Sequence, residues 1–242
     1  MVLRMCEMQQ NLEHTDAQAD SRDGATVAAK KVHFLGISRS CDVQEISRSS
    51  RVQWVEQGFL AGAVTSPPLD PVDHARLLGL IHQSIDILPM QFGTDFPDEE
   101  ASLAFLDRRG EHLLQCLDRL HGACEMALRV KLECSQAAPV ISRSRDHGRV
   151  SLSPSQYLAQ RRTSYQWEDR LDDQAELYVQ ALQGLYRDWR RLPSPSLGSV
   201  RLSFLVERLR LGSFQHRLNT LTSEQECDRF VLMGPWPPYS FV

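Results

Sequence analysis

Histidines four residues apart on a helix can share a metal ion. His74 and His82 fall on one predicted helix but are eight residues apart, more than two turns. They do not form such a pair and read as surface or half-buried side chains, as do His112 and His121. Cys116, Cys124 and Cys134 are separated by eight and ten residues across a predicted helix–strand junction. That spacing matches no common zinc pattern, so they read as small buried apolar groups. Asp95 follows Gly93-Thr94 and has the chemistry of a general base, but no nucleophile is visibly paired with a base in sequence. A turn leading into the next helix explains it better. No catalytic residue, metal ligand or cofactor is expected.

Arg143, Arg145, Arg149, Arg161 and Arg162 have the charge to meet an acidic partner or nucleic acid. Asp146, Glu168, Asp169, Asp172 and Asp173 balance them, which is the pattern of a solvated face. The net charge of −4 also argues against broad contact with a phosphate backbone. The chemistry that remains is recognition by aromatic side chains. Trp236, Tyr239 and Phe241 stand among prolines in Gly234-Pro-Trp-Pro-Pro-Tyr-Ser-Phe-Val242. The prolines fix φ and remove N–H donors, so the segment is expected to be stiff and extended rather than helical. It can present its aromatic rings to a partner's apolar groove at low entropic cost. Alternatively the rings fold back over the protein's own domain interface, because three aromatics left in water make an aggregation-prone patch.

The elements around these residues follow from periodicity. A strand is predicted at Val32–Ile37, and a hairpin from Arg51–Glu56 and Phe59–Val64 turning at Gln57-Gly58. After Pro67-Pro68, Asp70 is a predicted N-cap with Pro71 at the first helical position. Leu77, Leu78, Ile81 and Ile85 give that helix, ending near Ile87, one apolar stripe. An extended piece at 88–96 leads to a second helix over about Asp98–His121. Its first turn is acidic (Asp98, Glu99, Glu100), which suits the positive end of the helix dipole.

The second half opens on a strand at Cys124–Cys134, where Met126, Leu128, Val130 and Leu132 alternate with Glu125, Arg129, Lys131 and Glu133. A Ser-, Arg- and Pro-rich loop at 135–155 follows, then a long helix predicted over Pro154–Leu192. Its stripe is Leu171, Ala175, Tyr178, Leu182, Leu185 and Trp189. A strand at Val200–Glu207, a helix at Ser213–Thr222 and a strand at Phe230–Met233 complete the chain. These elements predict an α+β protein, with helices packed on one face of a small, mainly antiparallel sheet in each of two domains. The expected boundaries are a disordered polar extension at 1–30, an N-terminal domain at 31–122 and a C-terminal domain at 123–242.

No stretch approaches the ~20 apolar residues of a membrane span, and the polar N-terminus lacks a secretory pattern. No membrane partner and a cytoplasmic location are expected. Cys6, Cys41, Cys116, Cys124, Cys134 and Cys227 contain no Cys-x-x-Cys pair and read as free thiols.

Two segments resemble the gas vesicle protein F/L family. One is Leu88-Pro-Met-Gln-Phe-Gly-Thr-Asp-Phe96 with the acidic, leucine-rich helix that follows. In the family a similar Pro-x-x-Phe-Gly-Thr segment joins the same kinds of element. The other is the nonapeptide from Gly234 to Val242, preceded by Phe204-Leu-Val-Glu-Arg208. The resemblance runs from about Val32 to Val242. The extension at 1–30 and the linker around 135–155 depart from it, and the stretch between Ile37 and Arg51 lacks the expected glycine-rich character. The resemblance implies two α+β domains, the second similar to a modified ferredoxin-like fold. It also implies a non-enzymatic accessory protein of gas vesicle formation, sited at the gas vesicle, either as a chaperone-like carrier of the shell protein or as a minor component of the vesicle itself. Its implied partners are the small hydrophobic shell protein and other gas vesicle accessory proteins. Two alternatives stand beside it: a ferredoxin-like module that binds an effector or dimerises, and an enzyme whose site is dispersed in sequence.

Overall fold

The computed structural model describes residues 31–43, 51–66, 68–132, 154–194, 198–224 and 228–242. The extension expected at 1–30 lies outside the described residues. So do nearly all of the loop expected at 135–155, Arg143, Arg145 and Arg149, and the thiols Cys6, Cys134 and Cys227. Among the described residues no helix is long and apolar enough to cross a membrane. The chain divides into two compact units, Met1–Asp118 with Val242, and Arg119–Phe241.

The first unit is built on an antiparallel sheet of β1 (Val32–Arg39), β2 (Gln53–Gln57), β3 (Leu60–Thr65), β4 (Leu88–Pro89) and β5 (Asp95–Phe96). Its order is β2-β3-β1-β4, with β5 also paired to β1. A short helical turn, α1 (Ser40–Val43), follows β1. The hairpin turns at Gly58-Phe59, one residue later than predicted, because Gln57 pairs with Leu60. The predicted cap is present: the Asp70 carboxylate accepts from the backbone N–H groups of Val72 and Asp73 and starts α2 (Pro71–Ser84) with Pro71 in its first turn. The Asp98 carboxylate likewise accepts from Ala101 N–H at the start of α3 (Glu99–Leu120).

Alternation along β1 decides what each face meets. Leu35 packs with Leu77, Leu78 and Ile81 of α2 and with Val52, Ala63 and Ile87. Phe34 points the other way, to the rings of Phe96 and of Phe105 on α3, with centroids 5.3 and 6.4 Å away. This sheet therefore carries one helix on each face, where the sequence pattern predicted helices on one face only. Gly62 makes room on β3, since a Cβ there would stand 2.3 Å from Phe34 Cζ.

The second unit runs β6 (Ala123–Leu132), α4 (Pro154–Ala181), β7 (Asp188–Leu192), β8 (Ser199–Glu207), α5 (Leu211–Glu224) and β9 (Asp228–Trp236). The sheet order β7-β8-β6-β9, antiparallel throughout, is that of a ferredoxin-like βαββαβ unit. Tyr178 and Leu182 next to α4's end, Phe214 and Leu218 of α5, and Met126, Leu128, Val130, Leu202, Phe204 and Val206 of the sheet form one core. The long helix is shorter than predicted. Gly184, at φ +83°, adopts a backbone conformation that ends α-helices, and Asp188–Leu192 is instead a strand paired with β8. Trp189, expected on the helix stripe, lies opposite Phe204 in that strand pair.

Candidate functional site

The aromatic segment belongs to the second unit and begins inside a strand. β9 runs antiparallel along β6, and Trp236 lies opposite Glu125. Glu125 alternates with core residues Cys124 and Met126, so it faces away from the helices, yet it is only 6% exposed. The chain end is what its carboxylate binds. Ser240 N–H donates to Oε2 at 2.8 Å, and Ser240 Oγ–H donates to Oε1 at 2.6 Å. Ser203 Oγ–H, on the neighbouring strand β8, donates to Oε1 at 2.6 Å. At the last turn of α3, the Arg119 guanidinium donates to the Phe241 carbonyl. The Arg190 guanidinium of β7 lies 5.3 Å from the centre of the Phe241 ring, a cation–π contact.

This latch sorts the three predicted contact residues. Phe241 is 1% exposed and serves as an anchor, whereas Trp236 and Tyr239 remain 49% and 42% exposed. The Phe241 ring is turned inside, beside the polar latch and Arg190. Pro237 and Pro238 are buried between the two exposed aromatics. Tyr239–Phe241 closes as a 3-10 turn, where the proline content predicted extension alone. Burial, and then the Glu125 negative charge, push the Tyr239 hydroxyl up to about 12. On β9 itself Val231 and Met233 are exposed on the same side as Trp236, the side turned away from the core residues Phe230 and Leu232.

The first unit holds a polar cluster that spacing did not reveal. His33 lies opposite Asp95 in the β1–β5 ladder, and Nδ1 is 2.6 Å from Asp95 Oδ1. Its Nε2 is 2.9 Å from His74 Nδ1 on α2, and His74 Nε2 is 3.3 Å from the Met90 carbonyl oxygen. Lys31 Nζ holds the other Asp95 oxygen at 2.8 Å. His74 and His82, predicted at the surface or half-buried, are in fact buried, because both face the sheet from the inner side of α2. Asp95, predicted in a turn, is a strand residue and an ion-pair partner. Burial, and then the charge on His33, lower the His74 pKa, against the Met90 carbonyl. Burial acts to raise the Asp95 carboxyl, but the hydrogen bonds and charges of Lys31 and His33 outweigh it and hold it below its ordinary range. Among the described residues, the polar partners of the two rings are Asp95, each other and the Met90 carbonyl, none of them a hydroxyl or thiol. Cys116 and Cys124 are buried as expected, and His112 and His121 are exposed. Among the described residues no group of three or more His, Cys, Asp or Glu side chains could hold a metal ion.

Residues 19–242 match the family model described as gas vesicle synthesis protein GvpL/GvpF. The chain belongs to the GvpL/GvpF family. It is 30% identical over 210 residues to gas vesicle protein F of Streptomyces sp. (strain CB03234), covering 79% of this chain and 87% of that relative. The crystal structure of GvpF from Anabaena sp. PCC7120 superposes with a TM-score of 0.68 at 14% identity, over 88% of this chain and 98% of that one. GvpF from Microcystis aeruginosa gives 0.69 at 11% identity, over 88% and 99%. At such low identity these two structures establish the shared α+β fold, with its two antiparallel sheets. The latch of this GvpL/GvpF chain was half legible in sequence. The aromatic segment stood out, but Glu125 looked like one more polar residue in an alternating strand.

Proposed function

We propose that this GvpL/GvpF chain is an accessory protein of gas vesicle assembly that binds the apolar shell protein, without catalysing a reaction, through Trp236 and Tyr239 on the edge of its second sheet. The observation that carries the contact is the latch. It fixes the aromatic segment from below through Ser240 and Phe241 while leaving Trp236 and Tyr239 open to solvent. Rings held in place lose little entropy on binding, which favours them as anchors. Val231 and Met233, 53% and 37% exposed, extend the apolar strip along β9. An apolar shell subunit that covered this strip would be kept from self-association until growth of the vesicle wall offers it more buried area. The family supports the gas vesicle setting and the association with gas vesicle components. The shell protein as partner is our reading.

A ferredoxin-like unit that served an effector would offer a pocket shared by several elements. One depression, lined by Asp173, Glu176, Leu177, Gln180 and Ala181, draws all these residues from α4 and is not a pocket of that kind.

The test is co-expression with the shell protein of the same gene cluster, capture of one partner and detection of the other. Replacing Trp236 and Tyr239 by Ala should weaken capture at least ~30-fold, since central aromatic anchors carry 2 kcal/mol or more. Far-ultraviolet circular dichroism should stay unchanged. Undiminished capture by a folded double variant would move the contact elsewhere; no capture by the wild-type chain would refute shell binding.

A further inference from the structure

The contacts between Asp95, His33, His74 and Met90 set a proton count. A carboxylate oxygen, two imidazole rings and a carbonyl oxygen form a row joined by separations of 2.6, 2.9 and 3.3 Å. The carboxylate and the carbonyl are acceptors, so each end of the row needs an N–H from the ring it faces. The ring-to-ring contact needs one more. Two neutral imidazoles carry two N–H groups between them, so the row is one proton short when both are neutral. Placing the missing proton on Asp95 gives the same total. That oxygen pair is already bound by Lys31 and held in its charged form.

A fourth proton would set N–H against N–H across the 2.9 Å contact between the rings. His33 and His74 are 1% and 2% exposed. The charged groups at the Val32 end of β1 and on β5 are Lys31, just ahead of β1, and Asp95; Arg39, at the other end of β1, pairs with Asp118. On α2, the Asp70 carboxylate is engaged by backbone N–H groups, and Asp73 lies 3.8 Å from Arg51. β3 contributes Thr65, uncharged and opposite His33. The 90–94 segment contributes the Met90 carbonyl and the Phe92 ring, whose centre is 5.6 Å from both imidazole centres.

We propose that His33 and His74 form one buried proton-binding site that holds three ring protons between two imidazoles, and that release of the third as pH rises loosens the turn carrying Phe92. The third proton makes His33 a double donor, to Asp95 and to His74, while His74 donates to Met90. Without it, one contact must set acceptor against acceptor. The longest contact, to Met90, is the one that yields. The turn stays anchored by Met90 N–H to Leu35 O at 2.9 Å and by Phe34 N–H to Thr94 O at 2.8 Å, so the change is local.

The experiment is 15N NMR of the full chain with labelled imidazoles, from pH 5 to 9, with amide exchange followed at residues 90–94. We expect the pair to lose a single proton as one unit, with His74 Nδ1 an unprotonated acceptor before that step. Exchange at 90–94 should accelerate beyond its intrinsic pH dependence as the proton leaves. His33→Gln, which leaves a single imidazole in the row, should abolish both the shared proton loss and the accompanying change in exchange at 90–94. Two independent histidine titrations near the ordinary value, or exchange at 90–94 that follows intrinsic chemistry alone, would overturn the proposal. If His33→Gln does not fold, the wild-type NMR titration decides by itself.

Discussion

Replacing Glu125 by Ala removes the acceptor for Ser203 Oγ–H, Ser240 Oγ–H and Ser240 N–H at once. A hydrogen bond to a charged acceptor contributes about 1.5–3 kcal/mol, but three bonds to one carboxylate do not add fully. Removing the carboxylate also removes the cost of burying it, which offsets part of the loss. We expect a net destabilisation of the latch of about 3 kcal/mol, which is a more than 100-fold loss of protection at Ser240 N–H. Amide hydrogen exchange measures that directly, and chymotrypsin cleavage at Tyr239 and Phe241 should speed up with it. Glu125→Gln separates the parts. Its carbonyl oxygen keeps both hydroxyl bonds, while its NH2 group faces the Ser240 N–H, so about 2 kcal/mol should be lost. Tyr239 gives an independent readout, because the variant removes one of the two causes that raise it to about 12. Its ionisation, followed by ultraviolet absorbance, should move down toward the ordinary phenol value without reaching it. Tyr239 is a neutral acid with a raised pKa, so the stability it lends is complete below about pH 10 and is lost as pH rises through its folded value. Protection at Ser240 within about 0.5 kcal/mol of wild type in both variants would show that Glu125 does not hold the chain end, and the reasoning would fail.

Gly62→Ala should destabilise the first unit by about 1–3 kcal/mol through overpacking, because the new Cβ lands 2.3 Å from Phe34 Cζ in a fully buried site; urea unfolding tests this, and adding Phe34→Leu should recover part of the loss. Cys41, which is exposed, should react with iodoacetamide in the folded protein at pH 8, while Cys124, pushed up to about 11 by burial, should react only on unfolding, as peptide mass mapping would show.

Local signals placed most of the elements. Asp70-Pro71 marked the start of α2 because a capping carboxylate and a ring-locked φ act within one turn. Met126, Leu128 and Val130 marked β6 because one buried face imposes a period of two. The errors came where distant residues decide. Leu182, Leu185 and Trp189 continue a helical spacing, but pairing with β8, together with the turn at Gly184, makes Asp188–Leu192 a strand. His33 and His74 are 41 residues apart, and His33 and Asp95 are 62 apart. A signal existed: His74 shares the inner stripe of α2 with Leu78, and His33 interrupts the apolar run Val32–Ile37. A histidine in either place needs a buried hydrogen-bond partner. Glu125 carried no such mark, since its burial depends on a chain end 115 residues away.

That separation has a consequence for synthesis. β6 gains β9 as its neighbour only once Asp228–Trp236 has been made, and Glu125 gains Ser240 only after 115 further residues. At 5–20 residues per second this takes about 6–23 s. During that interval the nascent chain leaves the β9 side of β6 unpaired, and its β8 side too until Ser199–Glu207 is made, with an unburied carboxylate beside the growing core. A protein read as a guardian of apolar subunits therefore has its own period of exposure on the ribosome, and the speed of translation between β6 and β9 sets how long it lasts.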